Sequence, residues 1–390
     1  MTGTPVAITG MGCICAAGAN LHDCMEALFL GARAPAPPVR FTSNHPIRYP
    51  VFELRDFEEP ADMLRSGALG LHAAREAIAD AGLDRKTLRG LRVGVCVGTT
   101  VGTVMSEENF CRESLAGRDP DIAGMRRILR SNPADVIARE FGLSGPRQTV
   151  VNACSSGTDA LGTAGSWIRA GLCDMAIAGG ADELGRIPYI GFISLMITDD
   201  SPCKPFDKNR KGLNLGEGAA MLVLESEPSR RRSGNRPRSF LLGYGSAGDA
   251  YHLTAPRPDG TGLKNAMAEA LAYSGTPPAS IAFVNAHGTG TPDNDRIESG
   301  VLRDMLPGVP YLSTKGYTGH TLGAAGAIEA VFTAACLEQG KIPLNAGFAT
   351  PDPEIGNTPV REVTTVSGTV ALSESLAFGG NNSVVVLGKG

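Results

Sequence analysis

Residues 150–162 read VVNACSSGTDALG, and this stretch decides the fold that the rest of the chain must fit. A β-branched run leads into Cys154, the small residues Ser155 and Ser156 are suitable helix caps, and a helical pattern begins at once. Such a strand-to-helix elbow is typical of α/β proteins. A thiol at a helix N-terminus is favoured as a thiolate, so Cys154 is a candidate nucleophile for thioester exchange. The local pattern fits a buried structural cysteine almost as well.

Apolar runs of strand length alternate with Ala- and Gly-rich segments of helical length on both sides of this elbow. The runs are residues 6–10, 93–98, 149–152, 175–179, 220–224, 281–285 and 383–387. Their alternation with helical segments predicts an α/β fold made of βαβ units on a largely parallel sheet. The four consecutive apolar residues at 384–387 indicate strands that helices cover on both faces.

A second elbow repeats the pattern of the first. Residues 313–319 lead to His320, and a helical segment of small residues, TLGAAGAIEAVFTAACLEQG, follows. The two elbows predict two similar lobes. Their small residues fit buried central helices packed closely against each other, and fit ordinary Ala-rich helices equally well. The Arg-rich polar segment 226–239 interrupts the rhythm and predicts a connector. We therefore expect an N-terminal lobe over 1–235 and a C-terminal lobe over 236–390.

The composition excludes several classes of protein. With 390 residues, 42% of them hydrophobic and 19% charged, the chain can bury a large core. A net charge of -4 argues against nucleic-acid binding. Nine cysteines without a CxxC pair predict neither disulfides nor structural zinc. The first residues lack a signal-peptide pattern and no run is long enough to span a membrane, so we expect a soluble cytoplasmic protein.

Two histidines follow strand-like runs elsewhere in the chain. His287 ends the segment IAFVNAH at 281–287, and His320 lies in a segment that also contains Lys315 and Glu329. Polar residues at the carboxyl ends of such strands face the crevice where open α/β sheets bind ligands. Either histidine alone fits a structural role, but two histidines and a cysteine at three strand ends indicate a shared active site. The glycines here do not follow phosphate-loop spacing, which disfavours nucleotide binding.

These segments belong to a series of motifs whose order and separations resemble a known family. The motifs are VAITGMG at 6–12, GLSGPRQTVVNACSSG at 142–157, CKPFDKNRKGLNLGEGAAMLVLE at 203–225, DAYHLTAPRPDG at 249–260, NAHGTGTPDND at 285–295, STKGYTGHTLGAAGAIE at 313–329 and AFGGNN at 377–382. Over almost the whole chain they resemble the decarboxylating β-ketoacyl-acyl-carrier-protein synthases, in particular the elongating type II synthases and the related polyketide ketosynthases. The resemblance implies a thiolase fold, with two duplicated lobes in α-β-α-β-α layers, normally assembled as a dimer.

The resemblance also implies a two-stage reaction without metal or redox cofactor, on substrates carried by the phosphopantetheine of acyl carrier protein. Cys154 takes an acyl group from a thioester, and the backbone N–H groups of Cys154 and Phe378 stabilise the oxyanion. Gly379 and Gly380 belong to the same oxyanion and gate segment. Malonyl-carrier protein then loses CO2, and the resulting enolate attacks the acyl group to form a β-ketoacyl product.

The resemblance assigns supporting roles to further residues. His287 and His320 stabilise the enolate, while Lys315 and Glu329 maintain the orientation and protonation of the histidines. Four positions contact the substrate arm or chain, namely Thr289 and Thr291 at the pantetheine, and Met105 and Ser106 at the acyl pocket. Cations expected to dock the acidic carrier protein are Arg126, Arg127, Arg130, Lys204, Lys208, Arg210 and Lys211.

The sequence departs from the fatty-acid pattern in two regions. Ala377 stands where a glycine is usual and Asn381 where a threonine is usual, so the gate loop is expected to move differently. The stretch 109–154 is shorter than in the fatty-acid enzymes, which trims the region around the acyl pocket and the dimer face. Polyketide or polyene extension is therefore an alternative to fatty-acid elongation.

Two rival functions share the fold. A CoA-dependent thiolase uses a second cysteine as acid and base, but no cysteine follows Cys336, and Phe378 occupies the late glycine-rich segment. A noncatalytic chain-length partner subunit of a ketosynthase heterodimer typically lacks the nucleophile, and Cys154 argues against that function. The chain itself is expected to form a homodimer or to pair with such a subunit.

Overall fold

Strands and helices alternate along the chain as the sequence predicts. A computed structural model describes residues 3–100 and 104–390, without the side chains of residues 104–107. The strands are β1 (Val6–Cys15), β2 (Val93–Gly98), β3 (Arg147–Val150), β4 (Met175–Asp182), β5 (Gly218–Glu225), β6 (Ser239–Gly248), β7 (Ile281–Asn285), β8 (Tyr311–Leu312), β9 (Lys341–Ile342), β10 (Thr364–Thr365), β11 (Val370–Ala377) and β12 (Asn381–Lys389). The α-helices are α1 (Leu21–Leu30), α2 (Arg65–Asp80), α3 (Arg85–Arg89), α4 (Val104–Leu115), α5 (Ala123–Arg130), α6 (Pro133–Phe141), α7 (Ser156–Arg169), α8 (Arg186–Ser194), α9 (Glu227–Ser233), α10 (Thr261–Ser274), α11 (Pro292–Met305), α12 (Lys315–Thr318) and α13 (Ala325–Gln339). Short 3-10 helices lie at Pro278–Ser280 and Leu322–Ala324.

The main sheet consists of two halves that repeat one topology. The strand order is β3-β2-β4-β5-β1 in the first half and β8-β7-β11-β12-β6 in the second. In each half the first three strands are parallel, the fourth is antiparallel to the third, and the fifth is antiparallel to the fourth. β1 and β6 pair over three residues and connect the halves. The predicted duplication is confirmed, but the sheet is mixed rather than largely parallel, because one strand of each half, β5 or β12, runs in the opposite direction to the other four.

Helices cover both faces of each half of the sheet. The central helices α7 and α13 lie between the halves and contact strands of both. On the outer side of the first half, α2 and α6 bury Leu69 and Ile137 against the strands. On the outer side of the second half, α10 and α11 do the same with Met267 and Val301. The layer order is therefore α-β-α-β-α, as the resemblance implied, and apolar strand runs are buried on both faces.

The central helices touch because the residues that face each other are small. A Cβ atom at Gly157 would lie 2.8 Å from the backbone N of Ala327, and one at Gly326 would lie 2.0 Å from Oγ1 of Thr158. A larger side chain at either position would force the helices apart. The prediction of close packing is confirmed. Although α13 is apolar, no helix within residues 3–100 and 104–390 is both long and apolar enough to cross a membrane.

The connector predicted over 226–239 contains a regular element. It forms the short helix α9, whose N-terminus is capped by Ser226 and whose Glu227 pairs with Arg230 and Arg231. The charge run is therefore organised by ion pairs three and four residues apart, which sequence composition alone does not reveal. The predicted lobe boundary lies between α9 and β6 and stays a prediction.

Candidate active site

Cys154 lies at the turn between β3 and α7, as the sequence predicts. Ala153 has a φ of 47°, a left-handed conformation that is unfavourable for an L-residue. The next residue, Cys154, lines a cavity. Polar side chains hold this turn, since Oγ of Ser156 donates to the Ala153 carbonyl at 2.7 Å. Oγ of Ser155 donates to Asp159 at 2.9 Å. Ser155 occupies the N-cap position of α7 without a side-chain capping bond, so its predicted capping role is wrong.

His320 brings its imidazole ring to the thiol. Nε2 of His320 lies 3.1 Å from Sγ of Cys154. On the other side of the ring, the backbone N–H of Leu322 donates to Nδ1 at 3.1 Å. A ring nitrogen that accepts a hydrogen bond carries no proton, so the neutral ring has its proton on Nε2. His320 therefore presents an N–H donor to the sulfur.

His287 is fixed in the same tautomer by a different partner. Nζ of Lys315 lies 3.0 Å from Nδ1 of His287 and 2.6 Å from its carbonyl oxygen. An ammonium only donates, so Nδ1 accepts and Nε2 carries the proton. Lys315 also pairs with Glu329, and both side chains are almost fully buried. The rings of His287 and His320 lie 5.2 Å apart, edge to face, so two N–H donors share one site.

Burial sets the protonation states of these groups. It lowers the pKa values of His287 and His320 well below the usual value, and the Lys315 cation lowers them further. Both rings are therefore neutral near neutral pH. Burial raises the pKa of the Cys154 thiol to about 11, although Lys315 and the backbone N–H of Phe378 oppose the rise. Burial therefore favours the thiol at Cys154, which is opposite to the direction expected from a helix N-terminus alone.

Phe378 lies at the turn between β11 and β12 and faces the thiol. Its backbone N–H reaches Sγ of Cys154. Its ring stacks on the ring of Phe192, with centroids 5.5 Å apart, and Phe192 in turn contacts His320 edge to face at 6.5 Å. Phe192 was not identified from the sequence because nothing in its local pattern distinguishes it from a core residue of α8. The aromatic pair forms one wall of the site.

The two glycines of the gate segment shape the turn. Gly379 and Gly380 have φ values of 85° and 75°, a region that favours glycine. The N–H of Gly379 donates to the carbonyl of Leu253 at 2.7 Å, and that of Gly380 closes the turn. Neither N–H is thus available as an oxyanion donor, and that part of their predicted role is wrong. Asn381 donates to the Phe378 carbonyl at 3.3 Å and ties the gate residue to the turn.

A cavity of about 290 Å³ opens above the thiol. Thr289 and Thr291 line it, and their hydroxyl oxygens lie 2.9 Å apart. Apolar side chains, among them Leu213 and Leu376, line the same space. The predicted pantetheine positions therefore lie in the cavity that leads to Cys154, and a thioester arm would find both hydroxyl and apolar contacts there.

Two buried carboxylates that sequence reasoning missed hold the site in place. Glu298 on α11 accepts the N–H groups of His287 at 2.6 Å and of Gly288 at 2.8 Å. Asp182 at the end of β4 accepts the N–H of Gly323 at 2.8 Å and so binds the loop after His320 to the first lobe. The sequence offered little to identify them, because acidic residues are usually exposed and nothing in the local pattern indicates that these two are buried.

Arg210 is not a docking cation. Its side chain is buried, and its guanidinium lies 3.7 Å from Asp295 and 2.5 Å from Asp352. The prediction for Arg210 is therefore wrong, because its charge is used inside the protein. Asp295 lies within α11 and accepts the N–H of Phe206 at 2.6 Å.

The other predicted contact residues differ in exposure. The exposed cations are Arg126, Arg130, Lys208 and Lys211. Lys204 is partly buried and lies 3.4 Å from Asp199, and Arg127 donates to a backbone carbonyl at 3.3 Å. Met105 and Ser106 lie in the first turn of α4, but their side chains are outside the described residues. Their place in the acyl pocket stays a prediction.

The donor set at the thiol resembles a metal site in composition alone. Sγ of Cys154 and ring nitrogens of His287 and His320 lie within 4.8 Å of one another. A metal at Nε2 would require each neutral ring to carry its proton on Nδ1. That proton would face the Lys315 ammonium in one ring and the Leu322 N–H in the other. The hydrogen bonds behind the rings therefore fit two N–H donors better than two metal ligands.

Comparison with known proteins agrees with this geometry. Residues 3–229 match the family described as "Beta-ketoacyl synthase, N-terminal domain", and residues 238–349 match "Beta-ketoacyl synthase, C-terminal domain". The chain belongs to the β-ketoacyl synthase family. In this β-ketoacyl synthase both lobes contribute to the site, since Cys154 comes from the first, and His287, Lys315, His320 and Glu329 come from the second.

Relatives of this β-ketoacyl synthase match it over nearly their full length. A "3-oxoacyl-[acyl-carrier-protein] synthase 2" of Staphylococcus aureus (strain COL) is 32% identical, and the alignment covers 98% of each chain. Among solved structures, the ishigamide ketosynthase/chain length factor is 33% identical with a TM-score of 0.94 and covers 100% of both chains. A type II PKS acyl-carrier protein in complex with its ketosynthase, bound to the hexaketide, is 25% identical with a TM-score of 0.92, also over 100% of both chains.

Proposed function

We propose that this chain is a β-ketoacyl-acyl-carrier-protein synthase that condenses malonyl-carrier protein, with loss of CO2, with an acyl group carried on Cys154. One observation carries the proposal, namely the convergence of donors on a single sulfur. Nε2 of His320 lies 3.1 Å from Sγ of Cys154, the N–H of Phe378 reaches the same atom, and His287 lies beside His320. A nucleophile, an oxyanion donor and two neutral imidazole donors are the groups that the two half-reactions need.

In the first half-reaction the Cys154 sulfur attacks the carbonyl carbon of an acyl thioester. The carbonyl oxygen becomes an oxyanion, which the N–H of Phe378 is placed to stabilise because it already points at the sulfur. The N–H on Nε2 of His320 stabilises the developing thiolate. The pantetheine thiolate leaves, and the proton that Cys154 loses balances the proton that the departing sulfur gains. The product is an acyl group on Cys154.

In the second half-reaction the malonyl group loses its carboxylate. The electron pair of the broken carbon–carbon bond moves towards the thioester oxygen and forms an enolate, which His287 and His320 stabilise through their Nε2–H groups. The enolate carbon then attacks the acyl carbonyl on Cys154, and the cysteine thiolate leaves. Loss of CO2 supplies the carbanion and thioester exchange supplies the leaving group, so the proposed reaction balances without a metal or redox cofactor.

Lys315 and Glu329 are positioning residues in this proposal. The Lys315 ammonium donates to Nδ1 of His287, which keeps the proton of that ring on the nitrogen that faces the substrate. Glu329 supplies the counter-charge that a buried ammonium requires. Because the cation also lowers the pKa values of both histidines, it keeps the rings neutral during turnover.

The proposed substrates are carried by acyl carrier protein, as the name of the Staphylococcus aureus relative and the hexaketide-bound ketosynthase complex indicate for those proteins. The pathway of the proposal is fatty-acid or polyketide and polyene biosynthesis, and the cytoplasmic location expected from the sequence is part of it. Exposed arginines on α5 and the exposed Lys208 and Lys211 are the proposed docking cations.

The docking cations are tested by charge reversal. One variant combines Arg126→Glu with Arg130→Glu, and a second combines Lys208→Glu with Lys211→Glu. Each variant should have a KM for malonyl-carrier protein that is several-fold higher than the wild type at low salt, with a smaller difference at high salt. Arg231→Glu is the matched control, because Arg231 is an exposed arginine on α9. An unchanged, salt-independent KM in a reversal variant removes that patch from the proposal.

A second subunit is proposed to add at the edge of the sheet. Within the described residues, β3 is an edge strand that pairs only with β2, and the adjoining Val151 is 68% exposed. An unpaired strand edge with an exposed apolar residue suits strand addition by another chain. The partner is a second copy or a chain-length-factor-like paralogue, and the structure of a ketosynthase/chain length factor supports the latter. Val151→Asp should shift the assembly towards monomer in size-exclusion chromatography.

The proposed condensation is tested by mass spectrometry of the intact protein. The chain is incubated with a series of acyl-carrier proteins and then with malonyl-carrier protein. An acyl adduct that maps to Cys154, followed by release of a β-ketoacyl product, is expected for the wild type. Cys154→Ala should form no adduct, and Cys173→Ala is the matched control, because Cys173 is a buried thiol outside the cavity.

The same experiment separates the proposal from the noncatalytic alternative. Absence of an adduct with every acyl chain, or an adduct on another cysteine in the active wild type, would contradict the assignment of Cys154. A chain-length subunit would remain unacylated and would instead change the product length of a separate ketosynthase when added to it. The intact Cys154–His320 contact at 3.1 Å favours the catalytic function.

A further inference from the structure

Three cysteines outside the active site lie together in the core of the first lobe. Cys13 and Cys15 are two residues apart on β1, so both point to the same face of the strand. Cys24 of α1 packs in the same core. Their sulfur atoms all lie within 4.8 Å of one another, and Sγ of Cys15 is 3.6 Å from Sγ of Cys24. All three residues are fully buried. Because the chain has no CxxC pair, this cluster forms only when α1 folds back on β1.

Hydrogen bonds to the surrounding backbone hold the cluster in place. Sγ of Cys24 donates to the carbonyl of Gly18 at 3.3 Å, and the backbone N–H of Cys13 donates to Oε2 of Glu76 at 2.8 Å. A Cβ atom at Gly18 would lie 2.5 Å from the backbone N of Cys24, so glycine is required where this turn meets α1.

We infer that Cys13, Cys15 and Cys24 form a binding site for a thiophilic d10 cation, and that Cu(I) fits it best. Thiolate sulfur is a soft ligand that selects Cu(I) and Zn(II) over harder cations. Structural zinc sites are almost always four-coordinate. In the part of the chain that the structure describes, no fourth cysteine, histidine or carboxylate joins the three sulfurs. On binding, the cation replaces the proton of one thiol, which passes to solvent, so the buried site stays neutral and no electron is transferred.

A surface groove is lined by residues that adjoin the cluster along β1 and α1. Met11, His22, Met25 and Glu76 line it. Met11 lies on the same strand as two of the cysteines, and Met25 directly follows the third on α1. Thioether and imidazole groups bind Cu(I), and the carboxylate adds negative charge at the groove.

The proposal is tested by an anaerobic Cu(I) titration of the full chain against the chromophoric chelator bathocuproine disulfonate. Cys154→Ala serves as the parent, because the active-site thiol and its two histidines form a second set of possible ligands. The parent should retain one Cu(I) per chain, and Cys15→Ala should bind it at least about 100-fold more weakly. Cys336→Ala in the same parent is the matched control, because Cys336 is buried in α13 outside the cluster.

A second measurement separates loss of the ligand from loss of the fold. Cu(I) should raise the Tm of the parent and of the Cys336→Ala control. It should leave the Tm of Cys24→Ser unchanged. Serine is chosen because it keeps a polar side chain of similar size. X-ray absorption of the loaded parent should show three sulfur neighbours. The proposal is overturned if the chelator removes all copper from the parent, if Cys15→Ala binds as tightly as the parent, or if Zn(II) is retained in preference to Cu(I).

Discussion

The two elbows of this β-ketoacyl synthase share one topology and perform different chemistry. After β3 the chain turns at the left-handed Ala153 and enters α7 directly after Cys154. After β8 it makes an extra helical turn, α12, passes His320 and turns at a second left-handed residue, Leu322, before α13. The extra turn carries Lys315. The first elbow thus presents a thiol, and the second presents an imidazole and a cation.

The difference shows what duplication alone supplies. Both halves of the sheet place a chain turn next to a buried central helix, and both turns are desolvated. Desolvation raises the pKa of the thiol in one turn and lowers the pKa of the imidazole in the other, so both groups rest neutral. The added cation of the second elbow then decides which nitrogen of His287 carries the proton. The scaffold fixes position, and a few residues of the turns decide function.

The largest expected effect follows from removing the Lys315 cation of the second elbow. Lys315→Met leaves Glu329 buried without a partner, and we expect the free energy of unfolding to fall by about 3–5 kcal/mol. Burial already raises the pKa of Glu329 to about 7, above its unfolded value, and loss of Lys315 raises it further. The unpaired carboxyl is tolerated while protonated, so the variant should lose additional stability as the pH rises through that folded-state pKa.

Urea unfolding between pH 6 and pH 9 measures this effect. Glu329→Gln combined with Lys315→Met removes both charges and should recover a large part of the stability, which makes the pair a double-mutant cycle. If the double variant were as unstable as Lys315→Met at every pH, the buried charge would not be the cause of the loss.

The next largest effect concerns His320 of the second elbow, whose loss should affect the two half-reactions unequally. His320→Ala should still be acylated at Cys154, more slowly because the thiolate loses one N–H donor, but condensation should fall by about 10²–10³-fold, because the imidazole donor acts on the enolate. Rapid-quench mass spectrometry measures the two steps separately. His72→Ala on α2 is the matched control and should match the wild type. Normal condensation by His320→Ala would remove that residue from the second half-reaction.

A smaller expected effect concerns the thiol proton of Cys154 at the first elbow. Since the pKa of Cys154 is raised to about 11, its alkylation by iodoacetamide should accelerate roughly tenfold per pH unit between pH 7 and pH 10. Lys315→Met should slow it at each pH, because Lys315 opposes the rise of that pKa. The exposed Cys111 serves as an internal reference in the same peptide digest. A pH-independent rate would indicate a preformed thiolate instead.

The smallest expected effect concerns the left-handed turn before the nucleophile. Ala153→Gly relieves an unfavourable φ of 47° but adds backbone entropy to the unfolded chain, so stability should change by no more than about 1 kcal/mol. The same substitution at Ala160, inside α7, is the matched control and should cost about 1 kcal/mol. Thermal unfolding compares them, and equal losses at both positions would show that the turn stores no strain.

The sequence predicted the strand runs and the reactive residues more reliably than their partners. Cys154, His287 and His320 were found because each follows an apolar run at a strand end, and periodicity reveals such positions. Glu298 and Asp182 were missed because their role is to accept backbone N–H groups of distant loops. Such contacts depend on how loops from both lobes meet, and no local pattern encodes that.

What the sequence by itself determined is the alternation of strands and helices, the duplicated elbows and the identity of the reactive side chains. Only the tertiary structure decided their protonation, because burial raises the pKa of Cys154, whereas a helix N-terminus alone would lower it. It also assigned Arg210 to an internal ion pair and gathered Cys13, Cys15 and Cys24 into one cluster. The physical reason is common to all three, since desolvation and contact between residues far apart in the chain exist only after the layers have packed.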